Sequence, residues 1–217
     1  MRAVIFDKDG VLIETFDSYF QSYTKVLSRI GIKIIANDIA KRYGMKGPEI
    51  IKQIVNEKGK IIADEQVKEL ANEKDKLYMK ISEKKLKLLP GVKKLLTYLK
   101  KKNYKIGIAS SSSKEIIEKM IKVTKIENYI DAIVDGFEVK YSKPDPEIFL
   151  KCAEKLKVKP ESCFVIEDSF HGINAAKKAG MKSIAVTTGQ HTREELKKMK
   201  PDWILNTLEE FNKIGEL

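Results

Sequence analysis

The chain has 217 residues, 42% of them hydrophobic, and its 42 basic and 31 acidic side chains give a formal charge of +11. This length and composition exclude a disordered segment, a collagen and a disulfide-stabilised miniprotein, and they suit one medium domain or a core with a small insert. Because the apolar runs are far shorter than the roughly 20 residues of a membrane span, and no signal-peptide pattern precedes the first run, we expect a cytosolic protein.

The two cysteines and the distribution of basic residues narrow the class of protein further. Cys152 and Cys163 form no Cys-x-x-Cys pair and no cluster with histidines, so we expect two buried free thiols rather than a zinc or redox site. Only four basic residues are arginine, and the lysines are scattered among glutamates, which is typical of a solvated surface rather than of nucleic-acid recognition. A basic surface would still attract anionic ligands.

The first predicted strand, Ala3–Phe6, is followed by a long segment with only helical periodicity. Apolar residues recur at steps of three and four between residues 16 and 30, which predicts a helix that stops at Gly31. Shorter helices are predicted at residues 39–43, 49–56 and 64–82, with glycines between them.

After Leu89-Pro90-Gly91, short apolar runs alternate with amphipathic helical runs, a pattern typical of βαβ units around a parallel sheet. Strands are predicted at residues 105–109, 132–134, 163–166, 183–186 and 203–204, and helices near 92–102, 114–122, 146–156, 173–179, 193–199 and 208–214. Two helices have start signals: Asp145 precedes Pro146 at the first helical position, and Thr192 forms a capping box with Glu195.

These patterns predict an α/β fold, a Rossmann-like parallel sheet with helices on both faces plus an inserted helical-bundle cap. Residues 1–14 and 89–217 would form the core, and residues 15–88 would form the cap. A cap of this size suits a small substrate, because its closure excludes bulk water from the site and limits what can enter.

Polar residues follow four predicted strands, at the edge of a parallel sheet where ligands bind. The first strand ends in Asp7-Lys8-Asp9-Gly10, in which the two acids project to the same side if extended and the glycine permits a sharp turn. The second is followed by four hydroxyls, Ser110 to Ser113, before a helix. The third is followed by a loop with Lys143-Pro144, and the fourth by Glu167-Asp168-Ser169.

Two acid pairs, a hydroxyl and a lysine at adjacent strand ends predict a Mg²⁺-dependent phosphoryl-transfer site. A carboxylate can attack a phosphoryl group only when the charge of the dianion is neutralised, which requires a hard, oxygen-ligated cation and a positive side chain. Positioning and electrostatics then stabilise the transition state.

In order and spacing, four motifs resemble those of the haloacid dehalogenase-like hydrolase superfamily, in the helical-cap branch that includes phosphoglycolate phosphatases, sugar-phosphate phosphatases and β-phosphoglucomutase. The motifs are Phe6-Asp7-Lys8-Asp9-Gly10-Val11-Leu12, Ile108-Ala109-Ser110, Lys143-Pro144-Asp145-Pro146 and Ile166-Glu167-Asp168-Ser169. The resemblance covers the whole chain and implies a Mg²⁺-dependent phosphatase that acts on a small phosphomonoester, with phosphoglycolate or a sugar phosphate as the leading candidates.

The resemblance also implies the roles of the two acids in the first motif. Asp7 would be the nucleophile that forms an aspartyl-phosphate, and it would also ligate Mg²⁺. Asp9 would protonate the leaving alkoxide and then take a proton from the hydrolytic water, while its main-chain carbonyl binds the metal.

The other motifs would hold the phosphoryl group and the metal. Ser110, with Ser111 as a further candidate, would hydrogen-bond the phosphoryl oxygens, and Lys143 would neutralise them. Asp168 would be a direct Mg²⁺ ligand, with Glu167 beside it as a ligand through water or as an orienting group.

Three residues of the cap are predicted to face the substrate. Phe16 and Tyr19 lie on the apolar face of the first cap helix near the hinge, and Lys46 lies in a glycine-bounded loop. We expect the aromatic residues chiefly to form the core of the cap, and their contact with the substrate is a second hypothesis.

Several alternatives remain open at this stage. Mutases of this branch typically have a histidine in the first cap helix, near the position of Tyr19, and phosphonoacetaldehyde hydrolases use a Schiff-base lysine in a smaller cap. A nucleic-acid-binding module, suggested by the +11 charge, and a non-catalytic regulator are the non-enzyme hypotheses. We expect a small phosphorylated metabolite as the partner, no nucleic acid or membrane, and a monomer or homodimer.

Overall fold

The computed structural model describes residues 1–82 and 85–215 and contains a six-stranded parallel sheet. The strands are β1 (Ala3–Phe6), β2 (Lys105–Ala109), β3 (Ala132–Val134), β4 (Cys163–Glu167), β5 (Lys182–Val186) and β6 (Trp203–Leu205). Their order across the sheet is β3-β2-β1-β4-β5-β6. The chain therefore winds outward in opposite directions from the β1–β4 pair, which is the point where open parallel sheets bind ligands.

Helices cover both faces of the sheet, as the sequence predicts. The helices of the described residues are α1 (Phe16–Ser28), α2 (Ala36–Ala40), α3 (Gly47–Glu57), α4 (Asp64–Ser82), α5 (Val92–Lys101), α6 (Lys114–Thr124), α7 (Glu147–Leu156), α8 (Phe170–Lys178) and α9 (Arg193–Lys198). Short 3₁₀ helices occur at Glu127–Tyr129, Pro160–Ser162 and Leu208–Ile214.

The alternation of side chains along β1 divides the core into two layers. Val4 and Phe6 point into a cluster with α5 and α6, whereas Ala3 and Ile5 point into a cluster with α7 and α8. This period of two is the signature of a strand, and apolar residues at every position of β1 are expected where both faces are covered.

Helices α1 to α4 follow β1 in sequence and precede α5. Their apolar side chains form a cluster separate from those on the two faces of the sheet. Its buried members include Tyr23, Ile50, Leu70 and Tyr78, and Ile116 from α6 also belongs to it. The two chain connections to this helical segment run side by side, because Leu89 N donates a hydrogen bond to the Leu12 carbonyl and Ile13 pairs with Leu88. The division into a core and a cap at residues 14/15 and 88/89 stays a prediction.

Most predicted elements lie within one or two residues of their observed bounds. β2 and β3 have the predicted bounds, and β4, β5 and β6 are each one residue longer than predicted. The capping box of Thr192 and Glu195 is confirmed, as are the two buried free thiols. Among the described residues, no helix is long and apolar enough to cross a membrane.

Four helix predictions were wrong in detail. Helix α2 spans Ala36–Ala40, whereas a helix was predicted at residues 39–43. Helix α7 begins at Glu147 rather than at Pro146, and Asp145 Oδ1 accepts a hydrogen bond from the Glu147 amide at 2.9 Å. Helix α8 begins at Phe170, three residues before the predicted start, because the Ser169 hydroxyl caps it by accepting a hydrogen bond from Gly172 N. Residues 208–214 form a 3₁₀ helix rather than an α-helix.

Candidate active site

Asp7 follows the buried strand β1, so the sheet holds its carboxylate in place beside the ends of β2 and β4. The residue is 5% exposed. Oδ1 accepts a hydrogen bond from Lys143 Nζ at 2.7 Å, and Oδ2 accepts one from the Asp9 amide at 3.0 Å. Both oxygens of the predicted nucleophile are therefore oriented by fixed donors.

Lys143 is fully enclosed between the two acid motifs. Its ammonium lies 2.7 Å from Asp7 Oδ1 and 2.6 Å from Glu167 Oε1, and it also donates to the Ala109 carbonyl at 3.3 Å. Burial alone would lower the pKa of Lys143, but the carboxylates of Asp7 and Glu167 raise it above its ordinary value. The side chain therefore stays positively charged at neutral pH.

The two acids at the end of β4, Glu167 and Asp168, differ in their hydrogen bonding. Glu167 Oε1 accepts from Lys143, and Oε2 accepts from the amides of Asp168 and Ser169 and from the Ser169 hydroxyl, at 2.9 to 3.1 Å. Both carboxylate oxygens of Asp168 are buried without a hydrogen-bond partner among the described residues. Since a buried, unpaired carboxylate is costly, Asp168 is suited to hold a cation.

The acidic cluster has the composition of a site for a hard cation. Asp7, Glu167 and Asp168 each offer an oxygen atom, and these atoms lie within 4.8 Å of one another. Gly10 and Gly189 face Asp168, and a Cβ at either position would overlap its Oδ2. Gly10 also has a φ of +74°, which favours glycine. The residues present therefore fit a Mg²⁺ ion.

Two carboxyl groups of this cluster, Asp7 and Asp168, have raised pKa values in the metal-free protein. Burial, opposed by Lys143 and assisted by Glu167, raises the pKa of Asp7 to about 7. Burial and the neighbouring Glu167 carboxylate raise the pKa of Asp168 well above its ordinary value. A bound cation would reverse these shifts because it favours the ionised carboxylates.

Among the serines that follow β2, the Ser111 hydroxyl contacts the helical segment and the Ser112 hydroxyl contacts the core. Ser110 is buried, and its Oγ accepts a hydrogen bond from the Ser112 amide at 3.2 Å. Ser111 Oγ donates to the Gly44 carbonyl at 2.6 Å, and Ser112 Oγ donates to Asp9 Oδ2 at 3.3 Å. The predicted phosphate contacts of Ser110 and Ser111 stay predictions.

Two residues that were not predicted as site residues, Lys8 and Ser112, contact Asp9. Lys8 Nζ lies 2.5 Å from Asp9 Oδ1, and Ser112 binds the other oxygen. Lys8 is fully buried although it is charged. Lys8 stands between two acids in a motif that apolar residues flank on both sides, and buried lysines are rare unless they are paired. This spacing could have marked Lys8 as a site residue, but it does not identify its contact with Tyr78.

The predicted substrate-facing residues occupy different positions. Tyr19 lines a small cavity with Asp7 and Asp9, whereas Phe16 packs against Phe20 and Tyr43 in the apolar cluster of α1 to α4.

Lys46 bridges the loop before α3 to the core, where its ammonium donates to the carbonyls of Val139 at 2.7 Å and Lys140 at 3.3 Å. It also lines an adjoining cavity of about 140 Å³. The residues around this second cavity come from both the helical segment and the core, and they include Lys74, Asp75, Ser111, Ser112 and Phe137.

The fold and the site together define the class of protein: an α/β enzyme whose sheet edge holds a buried acidic cluster and a buried lysine. The chain belongs to the haloacid dehalogenase-like hydrolase family, whose model matches residues 4–186. Its relatives lie in the β-phosphoglucomutase-like branch, and several are phosphatases, so the chain is a phosphatase-type hydrolase of that family.

Two curated relatives cover most of the chain. A phosphorylated carbohydrates phosphatase of Thermotoga maritima is 35% identical and matches over 97% of this chain and 99% of that protein. A β-phosphoglucomutase of Bacillus subtilis is 36% identical over 88% of this chain and 85% of its own length. Among solved structures, the β-phosphoglucomutase of Clostridium difficile has a TM-score of 0.90, with 31% identity and coverage of 99% and 95% of the two chains.

Proposed function

We propose that this chain is a Mg²⁺-dependent phosphatase that hydrolyses a small sugar phosphate, or phosphoglycolate, through an aspartyl-phosphate on Asp7. The observation that carries the proposal is the pairing of Asp7 with Lys143 next to the carboxylate of Asp168, which has no hydrogen-bond partner in the part of the chain that the structure describes. This arrangement supplies a nucleophile, a fixed positive charge and a site for a cation within one buried cluster.

Phosphoryl transfer would proceed in two displacements at phosphorus. A carboxylate oxygen of Asp7 bonds to phosphorus while the bond to the leaving oxygen breaks, and Asp9 gives its proton to that oxygen. Asp9 then removes a proton from a water molecule that bonds to phosphorus, which releases phosphate and restores the Asp7 carboxylate. Lys143 would neutralise charge at Asp7 and at the phosphoryl oxygens, and Ser110 would donate a hydrogen bond to them.

Mg²⁺ would be held by the carboxylates of Asp7 and Asp168 and by the main-chain carbonyl of Asp9. When bound, it would supply charge neutralisation for the dianionic phosphoryl group. Glu167 would orient the site, because its oxygens are already occupied by Lys143 and by main-chain amides.

Residues 15–88 would act as a cap that selects the leaving group. The cavity of about 140 Å³ between the helical segment and the core has charged and hydroxyl side chains in its lining beside apolar ones such as Phe137, which supports a polyhydroxylated leaving group over the smaller glycolate. The phosphorylated carbohydrates phosphatase of T. maritima supports the same choice. That the enzyme is cytosolic and either monomeric or homodimeric stays a prediction.

A mutase is the second candidate, because the B. subtilis β-phosphoglucomutase is similar to this chain. Tyr19 lines the cavity together with Asp7 and Asp9, near the position where mutases of this branch typically have a histidine. A phenol hydroxyl is a poorer proton carrier at neutral pH than an imidazole, which favours the phosphatase.

The test is phosphate release by the purified protein, with and without Mg²⁺, from phosphoglycolate, hexose and pentose phosphates, glycerol phosphate, nucleotides and phosphonoacetaldehyde. We expect one or a few sugar phosphates to be hydrolysed in Mg²⁺ and none in excess chelator, and we expect Asp7→Asn to be inactive although folded. Conversion of β-glucose 1-phosphate to glucose 6-phosphate without phosphate release would instead identify a mutase. Full activity in chelator would remove the metal from the proposal.

A further inference from the structure

Lys8 is a fully buried lysine that the mechanism above does not use. It lies between the two acids of the first motif, and its ammonium is 2.5 Å from Asp9 Oδ1. On its other side, Nζ lies 3.5 Å from the hydroxyl of Tyr78 and 5.3 Å from the centre of the Tyr78 ring. Lys8 therefore connects Asp9, the proposed proton donor and acceptor, to Tyr78 of helix α4.

The two carboxylate oxygens of Asp9 have different contacts, and only one of them is bound by Lys8. Oδ1 is bound by Lys8, whereas Oδ2 contacts the Ser112 hydroxyl at 3.3 Å. Asp9 and Ser112 line the same small cavity as Asp7. A proton donor must lie within about 2.6–3.2 Å of the atom it protonates, so the rotation of this carboxylate decides whether Oδ2 can reach the leaving oxygen.

Helix α4 contributes to this arrangement through its aromatic packing. Tyr78 is 2% exposed, and its ring packs edge-on against Tyr19, with 5.6 Å between the ring centres. Tyr19 in turn lines the cavity beside Asp7 and Asp9. The position of Lys8 therefore depends on the helical segment being packed against the core.

We propose that Lys8 is a positioning residue that fixes the Asp9 carboxylate against Tyr78, so that Oδ2 faces the leaving oxygen of the substrate. The inference rests on the proposed function, because it assigns Asp9 to proton transfer. A lysine that only filled space between α4 and the strand end would affect stability, but it would not change how the enzyme depends on the leaving group.

The leaving group provides the test, because an alkoxide requires a proton from Asp9 whereas p-nitrophenolate leaves without one. We compare kcat/KM, which reports the steps up to phosphoryl transfer, for the preferred sugar phosphate and for p-nitrophenyl phosphate. In Lys8→Met, we expect kcat/KM to fall by about 100-fold for the sugar phosphate and by less than about tenfold for p-nitrophenyl phosphate. Tyr78→Phe keeps the buried charge of Lys8. It should lower the ratio of kcat/KM for the sugar phosphate to kcat/KM for p-nitrophenyl phosphate about threefold.

Two controls separate positioning from a structural role. Tyr23→Phe removes another buried hydroxyl of the same helical segment, one without a hydrogen-bond partner among the described residues, and should leave the ratio unchanged. In an Asp9→Asn background, Lys8→Met should have no further effect on the ratio, since the group it positions is gone. Crystal structures should show the Asp9 carboxylate rotated away from Ser112 in Lys8→Met.

Equal losses for both substrates in Lys8→Met, together with an unchanged ratio in Tyr78→Phe, would overturn this inference while leaving the phosphatase proposal intact. An unmoved Asp9 carboxylate in the variant crystals would also overturn it. A wild-type protein that hydrolyses neither substrate in Mg²⁺ would overturn the proposed function and this inference with it.

Discussion

Asp168 and Glu167 are adjacent acids in the same buried cluster, yet the structure gives them opposite surroundings. Glu167 is saturated by one ammonium, two amides and a hydroxyl, whereas Asp168 has no hydrogen-bond partner for either oxygen among the described residues. The first arrangement stabilises the metal-free fold, and the second destabilises it unless a cation binds. We infer that, of these two acids, Asp168 contributes more to the affinity for a metal ion and Glu167 contributes more to the stability of the metal-free protein.

Substitution of Asp168 should separate these two effects. We expect Asp168→Asn to weaken Mg²⁺ binding at least tenfold in isothermal titration calorimetry, because it removes a direct anionic ligand. The unfolding midpoint of the metal-free variant at pH 8 should equal that of the wild type or exceed it by about 2–4 °C, since an unpaired buried charge is removed. A clearly lower midpoint in the absence of metal would contradict this interpretation.

Glu167→Gln is the matched variant at the neighbouring position. Gln cannot pair electrostatically with Lys143, so we expect the free energy of unfolding of the metal-free protein to fall by about 3 kcal/mol. Chemical denaturation measures this quantity. An unfolding free energy equal to that of the wild type would show that the ion pair contributes nothing to stability.

The loop between α2 and α3 is attached to the core by hydrogen bonds of two of its residues, Gly44 and Lys46. The Gly44 carbonyl accepts from Ser111, and Lys46 donates to Val139 and Lys140. At the start of α3, Glu49 accepts from Ser142 at 2.6 Å. These contacts would close the helical segment over the cavities beside Asp7 and Asp9.

Loss of the Lys46 contacts should weaken substrate retention rather than chemistry. We expect Lys46→Met to raise KM for the preferred sugar phosphate about tenfold and to change kcat less than threefold, because two hydrogen bonds to exposed or half-buried carbonyls are lost. Lys52→Met is the control, since Lys52 is an exposed residue of α3 that pairs with the exposed Asp64. A fall in kcat with an unchanged KM in Lys46→Met would contradict a role in holding the segment closed.

The strands were predictable from sequence because each signal was local. Residues 105–109 and 132–134 are apolar runs bounded by polar residues, and their bounds were predicted without error. The early start of α8 was missed because Gly172 reads as a break, whereas the Ser169 cap and the close approach of Gly172 to Glu167 keep it inside the helix.

The contacts within the site could be predicted only in part. The four strand-end motifs identify Asp7, Lys143 and Asp168 as neighbours, because parallel strands bring their ends together. The role of Lys8 toward Asp9 was not predictable, because it depends on Tyr78, which is 70 positions away in sequence. Helical spacing places Tyr78 on the buried face of α4, but it does not show that Lys8 packs against that face.

At the scale of the whole molecule, the charge of the site opposes the charge of the chain. The chain has a formal charge of +11, whereas the buried cluster combines the carboxylates of Asp7, Glu167 and Asp168 with the single ammonium of Lys143. The basic surface would attract phosphorylated substrates, and the acidic cluster would require a cation before a dianion can enter.

The acidic cluster also predicts how the stability of the metal-free protein depends on pH. The pKa of Asp7 is raised to about 7, so between about pH 4 and pH 7 the folded state binds more protons than the unfolded state. The free energy of unfolding should therefore fall as pH rises through this window, by about 2 kcal/mol between pH 5 and pH 8 for this group. Asp168, whose pKa is also raised, contributes with the same sign.

The comparison variant for this experiment is Asp7→Asn. Burial lowers the pKa of His171 and of His191. Below pH 6.5 these two groups therefore make the free energy of unfolding rise with pH, opposite to Asp7, and they do so in both proteins. The difference between wild type and Asp7→Asn, measured by urea denaturation in chelator, cancels this contribution. We expect wild type to lose stability relative to the variant as pH rises, and Mg²⁺ to restore it at pH 8. A difference that is constant with pH would contradict the raised pKa of Asp7.

The proposed phosphorylation of Asp7 can be detected directly by rapid acid quench. The wild-type enzyme is mixed with its preferred substrate and Mg²⁺, quenched within one turnover and digested, and the peptide that contains Asp7 is analysed by mass spectrometry. We predict a transient gain of one phosphoryl group on Asp7, absent in chelator and in Asp7→Asn. Hydrolysis of the substrate without phosphorylation of this peptide, or with the phosphoryl group on another side chain, would contradict the proposed mechanism.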